Sequence, residues 1–406
     1  MTTQAKWTWL VYMAGDNNLE GAGRDDLAEM KAVGSTADVN VLVQFDTEED
    51  VTTRYRVEKG KLKVLQKMPG VDCGDPKVLA GFLKWGIKNF PAAHYLVDVW
   101  NHGGGWENLG DDYNYEGLRS LKPGKARNVL RLRRSVFRTT ARKIIKRPAG
   151  ARAIAIDVGS HDYLDNQELR KAVAQAMPGG RKFDIFACDA CLMNMVEIAY
   201  EMKDTATLMV GSEETEPGAG WPYRAILKRL VAKPAMDPAE LAKIVVTEYG
   251  KYFTRTGEAS TQSALDLERV TAVANAVDAL ALALLADLPK MEAAVSLARE
   301  RAQKFDSPEY VDLHDLAGLL AQYLPNEAAV QTAAGRLQAT IASNGNGFVV
   351  ANDTVGKKMA RAHGVSIYMP STGEYSPDYK DLRFSKDARW NRLLETIETR
   401  ALNRSA

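Results

Sequence analysis

The apolar positions of the amino-terminal half fall in short, nearly continuous runs separated by amphipathic stretches. Trp7–Met13 and Val39–Phe45 are runs of the kind produced by strands buried on both faces. Between them, Leu19–Lys31 carries helical spacing. Thr52–Lys67 alternates about Lys59-Gly60, which predicts a β-hairpin. Pro76–Asn89 reads as a helix with proline in its first turn. A strand over 95–101 follows, and 153–156 reads as a short strand. Asp165 or Asn166 is positioned to cap a helix running through Ala176. A strand over 183–188 leads into a helix over 191–203, and Thr207–Gly211 is a further strand.

This β-then-α rhythm predicts an α/β fold with a mostly parallel sheet flanked by crossover helices. From about Ala232 to Ser343 the pattern turns long, helical and rich in Ala and Leu, the signature of a packing surface. Gly347–Asn352 and Gly364–Met369 read as strands able to rejoin or extend the sheet. Three segments are therefore expected: a core over 1–232, a helical region over 233–345, and carboxyl-terminal strands and a helix over 346–406 that pack on the core.

Two strand ends carry chemistry. The first reads Val97-Asp98-Val99-Trp100-Asn101-His102-Gly103-Gly104-Gly105, the second Phe186-Ala187-Cys188-Asp189-Ala190-Cys191. Open α/β sheets bind ligands just beyond the carboxyl ends of their strands. An imidazole and a thiol at such ends point to a cysteine nucleophile with a histidine acid/base. Placing Cys191 where the helix should begin would favour its thiolate through the exposed N–H groups there. The N–H groups of Gly103 and Cys191 are candidates for an oxyanion hole. Asp98 interrupts an apolar strand and is expected to play a structural part, as partner of a basic side chain.

Composition narrows the class. The 406 residues are 46% hydrophobic and 26% charged, ordinary for a globular chain. No apolar run approaches the ~20 residues of a membrane span. The amino terminus runs into its first strand without a basic and then apolar leader pattern, so a cytoplasmic location is expected. Three cysteines, Cys73, Cys188 and Cys191, exclude a disulfide scaffold. Cys188 and Cys191 form a C-x-x-C pair, but its position differs from that of a thioredoxin motif, and no further ligands at close spacing suggest zinc there.

Five blocks, Trp7–Leu19 (WTWLVYMAGDNNL), Trp100–Trp106 (WNHGGGW), Asp189–Met193 (DACLM), Gly211–Tyr223 (GSEETEPGAGWPY) and Ala362–Pro370 (AHGVSIYMP), resemble the clostripain family of cysteine peptidases. They occur in the family's order across nearly the whole chain. The resemblance implies a caspase-like fold of the caspase, gingipain and legumain group. It implies a dyad of His102 and Cys191, cleavage after Arg or Lys in protein or peptide substrates, and no cofactor for the chemistry. It also implies a precursor cut between the two blocks, and a possible calcium dependence. Asp189 becomes the leading carboxylate for a pocket that binds a guanidinium. Glu213, Glu214 and Glu216 in the following loop are further candidates, for the pocket or for calcium; the alternative is an exposed acidic loop.

Net charge is +1, yet Gly117–Ile156 holds thirteen basic residues and no acidic one. Val129, Leu132, Val136 and Ile144 fall near helical spacing within it, as in a basic amphipathic helix. Three readings compete: a solvated charge run, a patch for nucleic acid or an anionic surface, and a processing linker over about 117–152. Its place between His102 and Cys191 favours the linker, with Lys125, Arg127, Arg133, Arg134, Arg138, Arg142, Lys146 and Arg152 as candidate cleavage positions. The cut would be the chain's own or that of an upstream protease. The rival to a peptidase is a catalytically silent scaffold of the same fold that binds nucleic acid or an anionic surface through the basic helix.

Overall fold

The structure is a computed structural model that describes residues 4–106, 154–342 and 347–405. Nearly all of the basic segment, with its eight candidate cleavage positions from Lys125 to Arg152, lies outside the described residues. The chain opens with β1 (Ala5–Gly15), α1 (Glu20–Lys31), β2 (Val39–Thr47), β3 (Val51–Glu58), β4 (Lys61–Pro69), α2 (Pro76–Asn89) and β5 (Ala92–Trp100). From residue 154 come β6 (Ile154–Asp157), β7 (Asp162–Leu164), α3 (Asn166–Ala174), β8 (Phe183–Asp189), α4 (Val196–Met202), β9 (Ala206–Gly211) and α5 (Tyr223–Ala232). Then follow α6 (Pro238–Thr256), β10 (Ser260–Asp266), α7 (Val270–Leu285), α8 (Leu288–Arg301), β11 (Tyr310–Asp312), α9 (Leu313–Tyr323) and α10 (Ala328–Ile341). The last elements are β12 (Val349–Val355), β13 (Ser366–Tyr368), α11 (Arg383–Asp387) and α12 (Trp390–Ser405). No described helix is long and apolar enough to cross a membrane.

Nine strands form one sheet in the order β12-β10-β9-β8-β5-β1-β2-β3-β4. Its centre, β9-β8-β5-β1-β2, is parallel, and antiparallel pairs close both margins. Helices cover both faces of the centre, so β2 is buried along its whole length and β1 at all but one residue. At one margin, β4 turns Lys61, Lys63, Lys67 and other residues to solvent, which blunts a free edge. Strand order reverses between β1 and β5, so the crevice beyond their carboxyl ends is the expected ligand site.

Local signals place most elements as the sequence predicts. Asp75 accepts from the Lys77 N–H at 2.8 Å ahead of Pro76, and Asp165 forms a capping box with Glu168 at the start of α3. Two departures matter. The stretch read as wholly helical after Ala232 contributes β10 to the main sheet. Its buried Ser260, Thr261, Gln262 and Ser263 lack the apolar signature of a strand, and partners within the fold satisfy two of them: Thr261 pairs with Ser212, and Ser263 with Gly364. Of the two final strands, β12 extends the sheet, while β13 pairs with β11 in a separate two-stranded ribbon.

Asn101 ties the end of β5 to its surroundings. Its amide donates to the carbonyl oxygens of Ala14 and Ile156, and its oxygen accepts from the N–H groups of Ile156 (3.1 Å) and His102 (2.5 Å). Asn101→Ala strands several buried backbone groups and is expected to cost about 3 kcal/mol. Urea denaturation of the variant beside the parent measures this, and an unshifted midpoint refutes it.

Candidate active site

Pairing between β5 and β8 fixes the two reactive residues relative to each other. Val99 lies opposite Cys188 and Trp100 opposite Asp189, so His102 and Cys191 each follow two residues beyond a paired position on neighbouring parallel strands. Such strands run about 4.8 Å apart. The ladder continues one step further, with the Asn101 N–H donating to the Asp189 carbonyl at 3.3 Å. The loops beyond then touch. A β-carbon on Gly103 would fall 2.5 Å from the Cys191 carbonyl oxygen and 3.0 Å from the Ala190 side chain, so only glycine fits. Gly105 has φ of +88°, and a side chain there would strike the Tyr310 ring. Tyr310 donates to the Gly104 carbonyl at 3.0 Å and Asn166 to that of Trp106 at 2.8 Å, pinning the glycine loop from outside.

His102 and Cys191 are both buried. Burial drives the imidazole pKa down to about 3, so the ring is neutral at physiological pH. Its Nε2 lies 2.9 Å from Asn18 Oδ1, at the end of β1. With that oxygen as acceptor, the ring proton sits on Nε2 and Nδ1 is the basic nitrogen. Cys191 Sγ accepts from the Glu216 N–H at 3.2 Å. Burial, followed by the Glu216 carboxylate, nevertheless holds the thiol well above its ordinary pKa. The expected helix over 191–203 is corrected here: α4 begins at Val196, after a turn in which Leu192 has φ of +63°. Cys191 therefore stands outside the helix, and no helix terminus lowers its pKa.

Beside the thiol lies a group of buried carboxylates. Asp189 accepts from the Tyr223 hydroxyl at 2.8 Å and the Trp221 N–H at 3.3 Å. The Tyr223 hydroxyl also lies 3.0 Å from Asp98, which accepts from Trp9 Nε1 at 3.3 Å. Asp26, from α1, accepts from Trp100 Nε1 at 2.8 Å, and Glu216 accepts from Trp221 Nε1 at 3.3 Å. Burial raises the pKa of all four, and each of Asp26, Asp98 and Glu216 is raised further by the charge of Asp189. None forms an ion pair with a lysine or arginine among the described residues. The basic partner expected for Asp98 is thus replaced by a tyrosine and a tryptophan.

The loop Ser212–Glu216 is buried throughout, which overturns the reading of it as an exposed acidic loop. Its three carboxylates diverge. Glu213 accepts from the Gly364 N–H at 2.9 Å, Glu214 accepts from the Thr215 N–H and hydroxyl, and Glu216 alone joins Asp189. They do not converge as calcium ligands must. Cys73, Cys188 and Cys191 are free thiols.

Sequence reading missed Asn18, Asp26, Trp221 and Tyr223 as members of this site. Trp221 and Tyr223 lay within the Gly211–Tyr223 block without a role, and Asp26 carried a signal only as a polar residue on the inner face of α1.

The sequence profile of the clostripain family matches residues 11–118 and 143–397. Clostripain of Hathewaya histolytica is 24% identical over 341 residues, covering 71% of this chain; the chain spans 58% of the length of that relative. Two similar solved structures are secreted C11 cysteine proteases of Bacteroides thetaiotaomicron: one with an irreversible peptide inhibitor (TM-score 0.64, 19% identity) and one called iotapain (0.66, 17%). A third is an inactive zymogen C11 protease of Parabacteroides distasonis (0.65, 20%). Each comparison covers 95% of this chain and 99% of the other, and together they support the α/β caspase-like fold.

The buried carboxylates have a measurable cost. Asp98 titrates at about 8 in the folded chain against about 3.9 when unfolded. Between those values the folded state holds a proton that the unfolded state has released, so stability falls as pH rises from 4 to 8. Asp98→Asn removes this contribution. Denaturation midpoints across that range are expected to decline less steeply in the variant; parallel curves would refute the assignment.

Proposed function

The chain belongs to the clostripain family of peptidases, and on that premise we propose that it is a cysteine-type endopeptidase with Cys191 as nucleophile and His102 as general acid and base. A neutral imidazole takes the Sγ proton as sulfur attacks the scissile carbonyl carbon. The N–H groups of Gly103 and Cys191 would donate to the developing oxyanion. The protonated imidazole then gives its proton to the leaving amine. Water, deprotonated by the same ring, hydrolyses the thioester and returns both groups to their starting states.

The carboxylate group beside the thiol carries the substrate assignment. Asp189, with Glu216 and Asp98 behind it, forms a buried acidic floor that no lysine or arginine among the described residues pairs with. A substrate arginine or lysine supplies that charge and restores the ionised state of the floor. Protein or peptide substrates cut after Arg or Lys follow from this.

Burial of both reactive side chains supports a precursor that awaits activation. A thiol held neutral and out of solvent reacts slowly, since the thiolate is the nucleophile. Cleavage within 117–152, where lysine and arginine abound, is the activating step, made by this enzyme or by another protease. The inactive zymogen from Parabacteroides distasonis shares the fold.

Cys191→Ala is expected to abolish hydrolysis of Arg peptides, while Cys188→Ala retains most of it; the reverse pattern would reassign the nucleophile. Asp189→Asn should lower kcat/KM for Arg and Lys peptides by about 10²–10³-fold, the equivalent of roughly 3–5 kcal/mol for a cation left unpaired. An equal loss on Leu peptides would point instead to a structural role. Intact mass and activity are then followed together during activation. Cutting within 117–152 should precede activity, with the two fragments still associated, and full activity from an uncut chain would defeat the precursor reading.

A further inference from the structure

A second cluster of reactive side chains lies outside the peptidase machinery, where the carboxyl-terminal strands meet the helical region. Asp312 ends β11 and caps α9, accepting from the Asp315 N–H at 2.6 Å. His314 is the second residue of that helix. His363 comes from the segment between β12 and β13, and its N–H donates to Asp312 at 2.5 Å. One donor atom from each of Asp312, His314 and His363 lies within 4.8 Å of the other two.

Several features ask for a cation at this point. The imidazoles are stacked, with centroids 4.2 Å apart and planes 28° from each other, which holds both rings at this point. The Nδ1 atom of His314 is buried and has no hydrogen-bond partner among the described residues. Glu213, fully buried, lies against Asp312, and its Oε1 has no hydrogen bond to the other described residues. Asp315 adds a third carboxylate, and among the described residues its contact with Arg361 at 3.2 Å is the one cationic pairing within the group apart from His363 with Asp312. Both histidines are partly exposed, so an ion has a route in from solvent.

We infer that Asp312, His314 and His363 form a binding site for a single zinc ion. Two imidazole nitrogens and one carboxylate oxygen are the donors zinc prefers, and a water completes a tetrahedral set. Ligands of a tetrahedral zinc lie about 3.3 Å apart, as follows from bonds of about 2.0–2.1 Å. His363 Nδ1 and Asp312 Oδ1 already stand at 3.1 Å. Binding would require rotations of the two partly exposed histidines to close the remaining separations, which are at most 4.8 Å.

The ion's effect would be structural. It would lock the start of α9 and the 361–364 segment together beside Glu213, one residue from Glu214, whose carbonyl accepts from the Leu192 N–H at 3.2 Å. It takes no part in peptide hydrolysis, so this inference stands or falls apart from the proposed peptidase chemistry.

The test uses the tag-free full chain carrying Cys191→Ala, which removes the thiol nearest the reaction as a competing ligand. The metal-free protein is titrated with zinc against a chromophoric chelator, and its melting is followed. One tight equivalent and a raised Tm are expected. His314→Ala and His363→Ala, each added to that background, should lose the equivalent while keeping the Tm of the metal-free parent. No uptake by the parent, or undiminished uptake by both variants, overturns the inference. Cobalt in place of zinc decides the matter on the intact ligand set, even where a variant fails to fold. Visible d–d bands without a thiolate charge-transfer band are expected. A thiolate band would place the ion on a cysteine instead, Cys188 or the Cys73 of the buried Asp46–Cys73–Asp157 group, and would equally overturn it.

Discussion

The parallel ladder between β5 and β8 is the constraint on which the site depends. It sets Trp100 against Asp189 and thereby brings two loops, almost ninety residues apart in sequence, to one depth beyond the sheet. Everything near it serves that placement. Asn17 and Asn101 bind the backbone of β1, β5 and β6 into one node. Gly103 lets the histidine loop lie directly against the cysteine loop. A one-residue slip would turn Asp98 and Asp189 to opposite faces and dissolve the acidic floor.

That floor is unfavourable in the resting chain. Four carboxylates buried with no lysine or arginine beside them among the described residues favour protonation, and Asp98 shows its extent with a pKa near 8. Most folds place a guanidinium against such a group. Here tyrosine and tryptophan donors hold the carboxyl groups in position and supply no positive charge to favour their ionisation. The proposal of a site for a substrate arginine or lysine rests on this arrangement. Strain of this kind concentrates where function requires it.

The thiol follows the same logic. Its surroundings raise its pKa, and the imidazole on the neighbouring strand is kept neutral by burial. Neither group is in the charged form that a ready ion pair would show. Admission of solvent would relax both shifts at once, because desolvation is the largest cause of each. Access to the site and reactivity of the thiol are therefore coupled through a single physical variable.

Much of this was legible in the sequence. Apolar runs marked β1, β2, β5 and β8 because strands buried on both faces tolerate few polar side chains, and the His-Gly and Asp-Ala-Cys steps stood out at their ends. The family blocks named the reactive pair. Tertiary structure alone decided the rest. The residue spacing behind Cys191 looked helical, yet a left-handed turn at Leu192 delays α4 until Val196, since the loop must pass under Glu214 and Glu216. The strand β10 was hidden because it is built of polar residues, two of which, Thr261 and Ser263, find partners elsewhere in the fold. The acidic floor draws Asp26, Asp98, Asp189 and Glu216 from four separate elements. Periodicity reports which face of an element is buried; it carries no information about which buried polar groups from distant elements will meet, and that depends on the packing of the whole sheet.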